Sequence, residues 1–252
     1  GLQMYATSGE HAPENLSGKK AKELLQYVKD SGLRFSALCG DLGHGFGDKE
    51  LNPSLIEKSK RILDLSKELE CDIVTTHIGV VPESPEHERY KIMQAACAEL
   101  AEYADSVDAH FAIETGPETS ATLKKFLDSL GSRGVGVNLD PANLVMVTGD
   151  DPVKAVHNLK DYIVHTHAKD GILIKHADLE VMYGVRRDPD FRESDYCREV
   201  LLGEGDVDWK KYLAALDEIG YTGYLTIERE GSSTHDADVE KEVPFLKALI
   251  AE

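Results

Sequence analysis

Four ionisable residues stand at the ends of short apolar runs: Glu114 closes HFAIE, Asp140 closes VGVNLD, His167 closes YIVHTH and Glu228 closes YLTIE. Successive members are 26, 27 and 61 residues apart. A β-branched run bound for a buried strand should continue into apolar residues, so ending it in carboxylates and an imidazole is costly without a compensating partner. Three carboxylates and one imidazole brought to one place would repel and stay badly solvated unless a cation joined them. A divalent metal meets that demand. Oxygen donors with a single nitrogen suit Mn²⁺ or Mg²⁺ first, with Zn²⁺, Co²⁺ or Fe²⁺ as alternatives. Taken singly, each residue also has an ordinary reading, as a salt-bridged strand-end carboxylate or a satisfied core histidine. It is the shared phase of all four that points to chemistry.

The elements that must position them recur along the chain. Seven apolar runs read as strands: GLQMYA (1–6), FSALCG (35–40), IVTTHIG (73–79), HFAIETG (110–116), VGVNLD (135–140), YIVHTH (162–167) and YLTIER (224–229). Between them lie amphipathic segments at 17–32, 54–70, 87–104, 119–131, 207–220 and 239–252, with apolar residues at three- and four-residue steps. Repeated βα units imply a parallel sheet. An open doubly wound sheet and a closed (β/α)8 barrel both fit that repeat, and the strands separate them. In VGVNLD, Val135, Val137 and Leu139 share one face while Gly136, Asn138 and Asp140 share the other. A central strand of a doubly wound sheet should be apolar on both faces. One apolar and one polar face is the barrel pattern, with reactive groups at the C-terminal ends of the strands. The expected fold is therefore an α/β TIM barrel spanning 1–252 as a single domain. Seven strands against eight leads to the expectation that the first β/α unit is missing, a miscounted strand being the alternative. The long interval before Glu228 reads as a unit carrying an inserted loop at about 170–203.

Bulk properties narrow the partners. With 46 acidic against 28 basic residues, the formal charge is −18, and no Lys/Arg cluster offers a groove for a phosphodiester backbone. No run approaches the length of a membrane span. The four cysteines are dispersed without C-x-x-C spacing, which fits a reducing, cytoplasmic setting. The expected partner is a small molecule, with neither nucleic acid nor membrane, and a homodimer is compatible with the fold.

IETGPET (113–119), VNLDPANL (137–144), HTHAKDG (165–171), GEGDVDW (203–209) and TIERE (226–230), with CGDLGHGF (39–46) and TTHIG (75–79), together resemble the sugar-phosphate isomerase/epimerase superfamily. That superfamily shares the xylose isomerase-like barrel with ketose 3-epimerases, inosose dehydratases and apurinic-site endonucleases. The resemblance implies Glu114, Asp140, His167 and Glu228 as metal ligands, with His165, the first of the H-x-H pair, as second choice to His167. It implies a sugar or sugar phosphate as substrate. Asn143 stands where the epimerases carry a substrate-binding His, so the sugar contacts depart from their pattern. The implied mechanism has the metal hold adjacent carbonyl and hydroxyl oxygens of a ketose and stabilise an enediolate, with Glu114 and Glu228 as catalytic acid/base groups. Return of the proton to the same carbon gives epimerisation, and to its neighbour isomerisation.

Besides Asn143 and His165, His77 and Lys169 are candidates for substrate contact. His77 reads equally as a ligand to a second metal or a structural hydrogen-bonding group, and Lys169 as an ion pair with Asp170. Gly203 and Gly205 could offer N–H groups to a phosphate, DLGHGFG with His44 could cover the mouth, and the 170–203 segment, with Tyr183, Arg186 and Arg187, reads as a lid. Three rivals stand beside the isomerase. An inosose dehydratase-like lyase would use the same metal and enolate; an apurinic-site endonuclease conflicts with Asn143 and the charge; a non-catalytic sugar-binding barrel would not need all four ligands.

Overall fold

Each of the seven apolar runs forms a strand. The computed structural model describes residues 1–251, and the chain divides into two compact units. The first comprises Gly1–Glu114 and Lys125–Asn138. Here β1 (Leu2–Tyr5), β2 (Phe35–Cys39), β3 (Ile73–Thr76), β4 (His110–Glu114) and β5 (Val135–Leu139) pair in parallel, each with the next. Helices α1 (Lys19–Asp30), α2 (Asn52–Glu68) and α3 (Glu88–Ser106) link the first four. Their apolar residues fall on one stripe: α2 buries Leu55, Ile62, Leu63 and Leu65, and α3 buries Met93, Cys97, Leu100 and Ala104. Each of the Leu, Ile and Met side chains among them contributes roughly 1.5–3 kcal/mol by leaving water. His87 caps α3, its Nδ1 accepting from the Arg89 N–H at 3.1 Å. Gly134 lets the entry to β5 run against α3, since a Cβ there would lie 2.1 Å from the Ala101 carbonyl oxygen. Among these apolar strands the buried polar side chains are Ser36, Thr75, Thr76, Glu114 and Asn138.

The second unit comprises Thr115–Lys124 and the chain from Leu139 onward. Helix α4 (Ser120–Asp128) begins in it, and α5 (Pro141–Asn143) follows β5 directly. Helix α6 (Pro152–Leu159) is absent from the sequence reading. It starts at Asp151-Pro152, with the Asp151 carboxylate accepting from Val153 N at 2.9 Å and proline at the first turn, a local start signal that periodicity over so short a helix does not reveal. Strand β6 (Ile163–Ala168) pairs in parallel with a strand at Leu225–Ile227, aligning His167 with Thr226. The 170–203 segment is more ordered than the loop expected there. Its ends form an antiparallel ribbon of β7 (Asp170–Leu173) and β8 (Cys197–Val200), with helix α7 (Leu179–Met182) between them. Helix α8 (Trp209–Glu218), capped by Asp208, leads into the Leu225–Ile227 strand, β9, and α9 (His235–Ile250) closes the described chain. No helix among the described residues is long and apolar enough to cross a membrane.

Candidate metal centre

Asp140 follows β5 and is fully buried. Its Oδ1 accepts from Ala142 N at 2.8 Å and Asn143 N at 3.1 Å, capping α5 behind Pro141. Its backbone is fixed by Thr115, which accepts the Asp140 N–H at 2.8 Å and donates to the Asp140 carbonyl at 2.9 Å. With Oδ1 so engaged, Oδ2 faces the neighbouring strand ends. It lies 3.0 Å from Lys169 Nζ and 3.4 Å from His167 Nδ1. Glu228 Oε2, just past β9, lies 2.6 Å from Lys169 Nζ and 3.3 Å from His167 Nδ1. One donor atom from each of Asp140, His167 and Glu228 lies within 4.8 Å of the others.

The electrostatics follow from that geometry. Burial pushes the Asp140 carboxyl up, but the Lys169 ammonium and His167 more than reverse it, leaving it below its ordinary value. Glu228 is treated the same way: burial opposes ionisation, and His167 with Lys169 brings its carboxyl far below the usual range. Asp140, fully buried, and Glu228, its side chain 17% exposed, thus share one ammonium, one carboxylate more than Lys169 neutralises. That balance, with an imidazole nitrogen alongside, fits a cation-binding centre.

His165 is placed differently from His167. Its Nε2 lies 2.9 Å from Thr226 Oγ1, and its ring stands edge-on to that of His167 at 5.7 Å. Burial, and then the neighbouring His167, push its pKa down to about 3, so it is a neutral hydrogen-bonding group. Lys169 pairs with Asp140 and Glu228; the expected Asp170 partnership does not form. Asp170 instead accepts from four N–H groups: Gly171 N at 2.8 Å, Gly203 N at 2.9 Å, Val207 N at 3.2 Å and Trp209 Nε1 at 2.9 Å. That commits the Gly203 N–H internally and explains Gly205, where a Cβ would lie 2.1 Å from Asp170 Oδ1. The GEGDVDW turn is a receptor for a buried carboxylate rather than a phosphate cradle. Arg186 pairs with Asp178 in the same inserted segment. Asn143 donates to the Thr115 carbonyl at 3.0 Å. Glu199 of β8 pairs with Arg229 and accepts from Glu230 N at 3.2 Å and Gly231 N at 3.1 Å, tying the ribbon to the residues that follow Glu228.

In the first unit, Glu114 ends β4 with 5% exposure. Its Oε2 accepts from Asn138 Nδ2 at 3.1 Å, the residue aligned with it across the β4–β5 pair. Its Oε1 lies 3.6 Å from His77 Nε2, and His77 Nδ1 is 3.1 Å from Asp41 Oδ2. Asp41, Asn138, Thr115 and Thr226 were not singled out in the sequence. Asn138 shares the polar face of its strand with Asp140, a signal that was available; the other three lie far in sequence from their partners and leave none.

Parallel βα units with ionisable groups at the C-terminal ends of their strands are the pattern of α/β barrels. The family model described as xylose isomerase-like TIM barrel matches residues 1–249, and the chain belongs to that family. The chain is similar to an inosose dehydratase from Lacticaseibacillus casei, 28% identical over 148 residues, covering 56% of this chain and 44% of the relative. It therefore spans less than half the length of that enzyme. In structure it resembles a xylose isomerase domain protein from Planctomyces limnophilus, with TM-score 0.79, 25% identity and coverage of 98% of this chain and 86% of the other. It also resembles a xylose isomerase-like TIM barrel protein from Mycobacterium smegmatis in complex with magnesium, with TM-score 0.68, 20% identity and coverage of 94% and 79%.

Proposed function

We propose that the chain is a divalent-metal-dependent isomerase or epimerase of a sugar or sugar phosphate, with Glu114 joining Asp140, His167 and Glu228 as ligands. The carrying observation is the buried carboxylate–imidazole cluster, in which a single ammonium faces Asp140 and Glu228. Counting Glu114, three carboxylates against Lys169 leave two negative charges, matching a divalent ion. The magnesium bound by the Mycobacterium smegmatis relative supports Mg²⁺, and hard oxygen donors make Mn²⁺ equally suitable. When bound, the ion would polarise adjacent carbonyl and hydroxyl oxygens of a ketose and stabilise the enediolate.

The chain's own residues do the rest. Glu228, as its carboxylate, takes a proton from carbon on one face; Glu114, protonated from solvent before that step, returns one on the other, and Glu228 then releases its proton to solvent. Lys169 holds Glu228 in place and is close enough to the same oxygens to meet a substrate hydroxyl. His77, Asn143 and His165 complete the proposed substrate-facing set, His165 by bracing Thr226. The strongly acidic chain favours a small neutral or metal-bridged substrate over nucleic acid. A cytoplasmic setting and a homodimer belong to the same proposal.

A second reading is favoured by the inosose dehydratase relative: the same anion formed on an inositol-derived ketone can expel a β-hydroxyl, giving a lyase. Mg²⁺- or Mn²⁺-supplemented protein incubated with ketoses, ketose phosphates and inososes in deuterated water, read by NMR, separates them. Deuterium at carbon with sugar retained is the isomerase or epimerase result, and loss of water is the lyase result. No exchange with any of them sinks both.

A further inference from the structure

We infer that Glu199, on the inserted ribbon, is a positioning residue for Glu228: its carboxylate shapes the stretch of chain that carries that side chain. Strand β9 is three residues long, and just past it Glu228 N still donates to the Ala168 carbonyl of β6 at 3.1 Å. From Arg229 to Thr234 the chain is irregular, and α9 begins at His235. Neither a sheet ladder nor a helix therefore sets the course of the residues that follow Glu228, and their main-chain N–H groups need other acceptors.

Glu199 supplies one. One of its oxygens pairs with the Arg229 guanidinium, and the other accepts from two successive N–H groups, Glu230 N at 3.2 Å and Gly231 N at 3.1 Å. Consecutive main-chain N–H groups turned onto one carboxylate form a concave anion seat, and the ionised acceptor strengthens each bond. The approach is close, since a Cβ at Gly231 would lie 3.3 Å from Glu199 Cβ. Arg229 is gripped on a second side, its Nε donating to Asp238 Oδ2 in the first turn of α9 at 3.1 Å. The side chains of Arg229, Glu199 and Asp238 are 12%, 11% and 7% exposed, which removes them from the class of surface pairs that contribute little. The ribbon itself is secured before it offers Glu199. Glu199 is aligned with Gly171 across the β7–β8 pair, next to Asp170 and its four N–H donors. The segment that reads as a lid in the sequence thus also carries a foothold for the chain at Glu228. The functional weight of this contact rests on the proposed role of Glu228 as a metal ligand; the contact itself does not.

The test is hydrogen–deuterium exchange by mass spectrometry on the whole chain after EDTA dialysis, paired with Mn²⁺ titration of the same samples followed by EPR. Glu199→Ala removes the seat, and Glu199→Gln keeps an acceptor oxygen on a side chain of the same length without the charge. Tyr196→Ala loosens the same ribbon elsewhere, by removing the ring that stacks on Phe191 at 5.0 Å and lies 4.4 Å from the Lys175 ammonium. Glu199→Ala is expected to speed exchange across 228–234 and to weaken Mn²⁺ binding about tenfold, the cost of losing a group that braces a ligand from behind. Glu199→Gln should fall between wild type and Glu199→Ala in both readouts. Tyr196→Ala should speed exchange within the ribbon and leave both 228–234 and Mn²⁺ binding as in wild type. Unchanged exchange across 228–234 in Glu199→Ala overturns the inference, as does unchanged Mn²⁺ affinity, or a Tyr196→Ala variant that weakens Mn²⁺ as much. If Glu199→Ala does not fold, Glu199→Gln decides by the same two readouts. Failure of wild type to bind Mn²⁺ defeats the metal reading instead, and exchange across 228–234 alone then decides whether Glu199 holds this stretch.

Discussion

The two proposed acid/base glutamates are held by opposite kinds of neighbour. Glu228 is met by an ammonium at 2.6 Å and an imidazole at 3.3 Å, in a cluster of two carboxylates around that one ammonium. Glu114 is met by the Asn138 amide at 3.1 Å and an imidazole at 3.6 Å that also meets Asp41, in a setting of oriented dipoles. The difference is that one carboxylate is paired with a permanent cation, whereas the other is met by an amide and an imidazole. A reaction that removes a proton on one face of a carbon and returns one on the other needs both carboxylates to exchange protons.

The largest effect expected from breaking this contrast is at Asp140. Asp140→Ala removes a buried oxygen donor and the acceptor for the start of α5, and should weaken Mg²⁺ or Mn²⁺ binding by more than about 100-fold in calorimetry, beyond what loss of an outer-shell partner costs. Next is Lys169→Met. Removing one partner of a buried ion cluster leaves Asp140 and Glu228 uncompensated, so metal-free protein should lose about 3–5 kcal/mol in urea unfolding. Saturating Mg²⁺ should recover most of that loss, because a second cation then faces the same oxygens; unchanged stability in both conditions would show that the ammonium does not hold Glu228.

The smallest expected effect lies away from the centre. Glu242 is 2% exposed, accepts from Leu202 N at 3.2 Å, and has its carboxyl raised by burial. An acid whose folded pKa lies above its unfolded one contributes stability while it is protonated and loses it as pH rises through the raised value. Glu242→Gln should therefore match wild type near pH 4 and exceed it at pH 7, by less than about 1 kcal/mol after screening by nearby solvent. Urea midpoints at the two pH values measure it.

Much of this was legible in the sequence where the signal is local. Short apolar runs marked all seven parallel strands, and the polar ends of four of them gave Glu114, Asp140, His167 and Glu228. What escaped has a physical reason in each case. β7 and β8 pair with each other, and DGIL and CREV lack the alternation of a half-buried strand. The partners of Lys169 could not be read from HTHAKDG, because Asp170 is adjacent in sequence while Glu228 is 59 residues away. The Asp41–His77 contact spans 36 residues and joins two loop ends, which no spacing rule links.

The central claim is that one divalent ion is held by four strand-end side chains. A crystal structure of the protein grown with Mn²⁺, with anomalous data collected at the manganese edge, tests it most directly. The expected result is a single strong peak about 2.0–2.3 Å from oxygens of Glu114, Asp140 and Glu228 and from a nitrogen of His167. A peak elsewhere, or none while Lys169 still bridges Asp140 and Glu228 at saturating Mn²⁺, would contradict it.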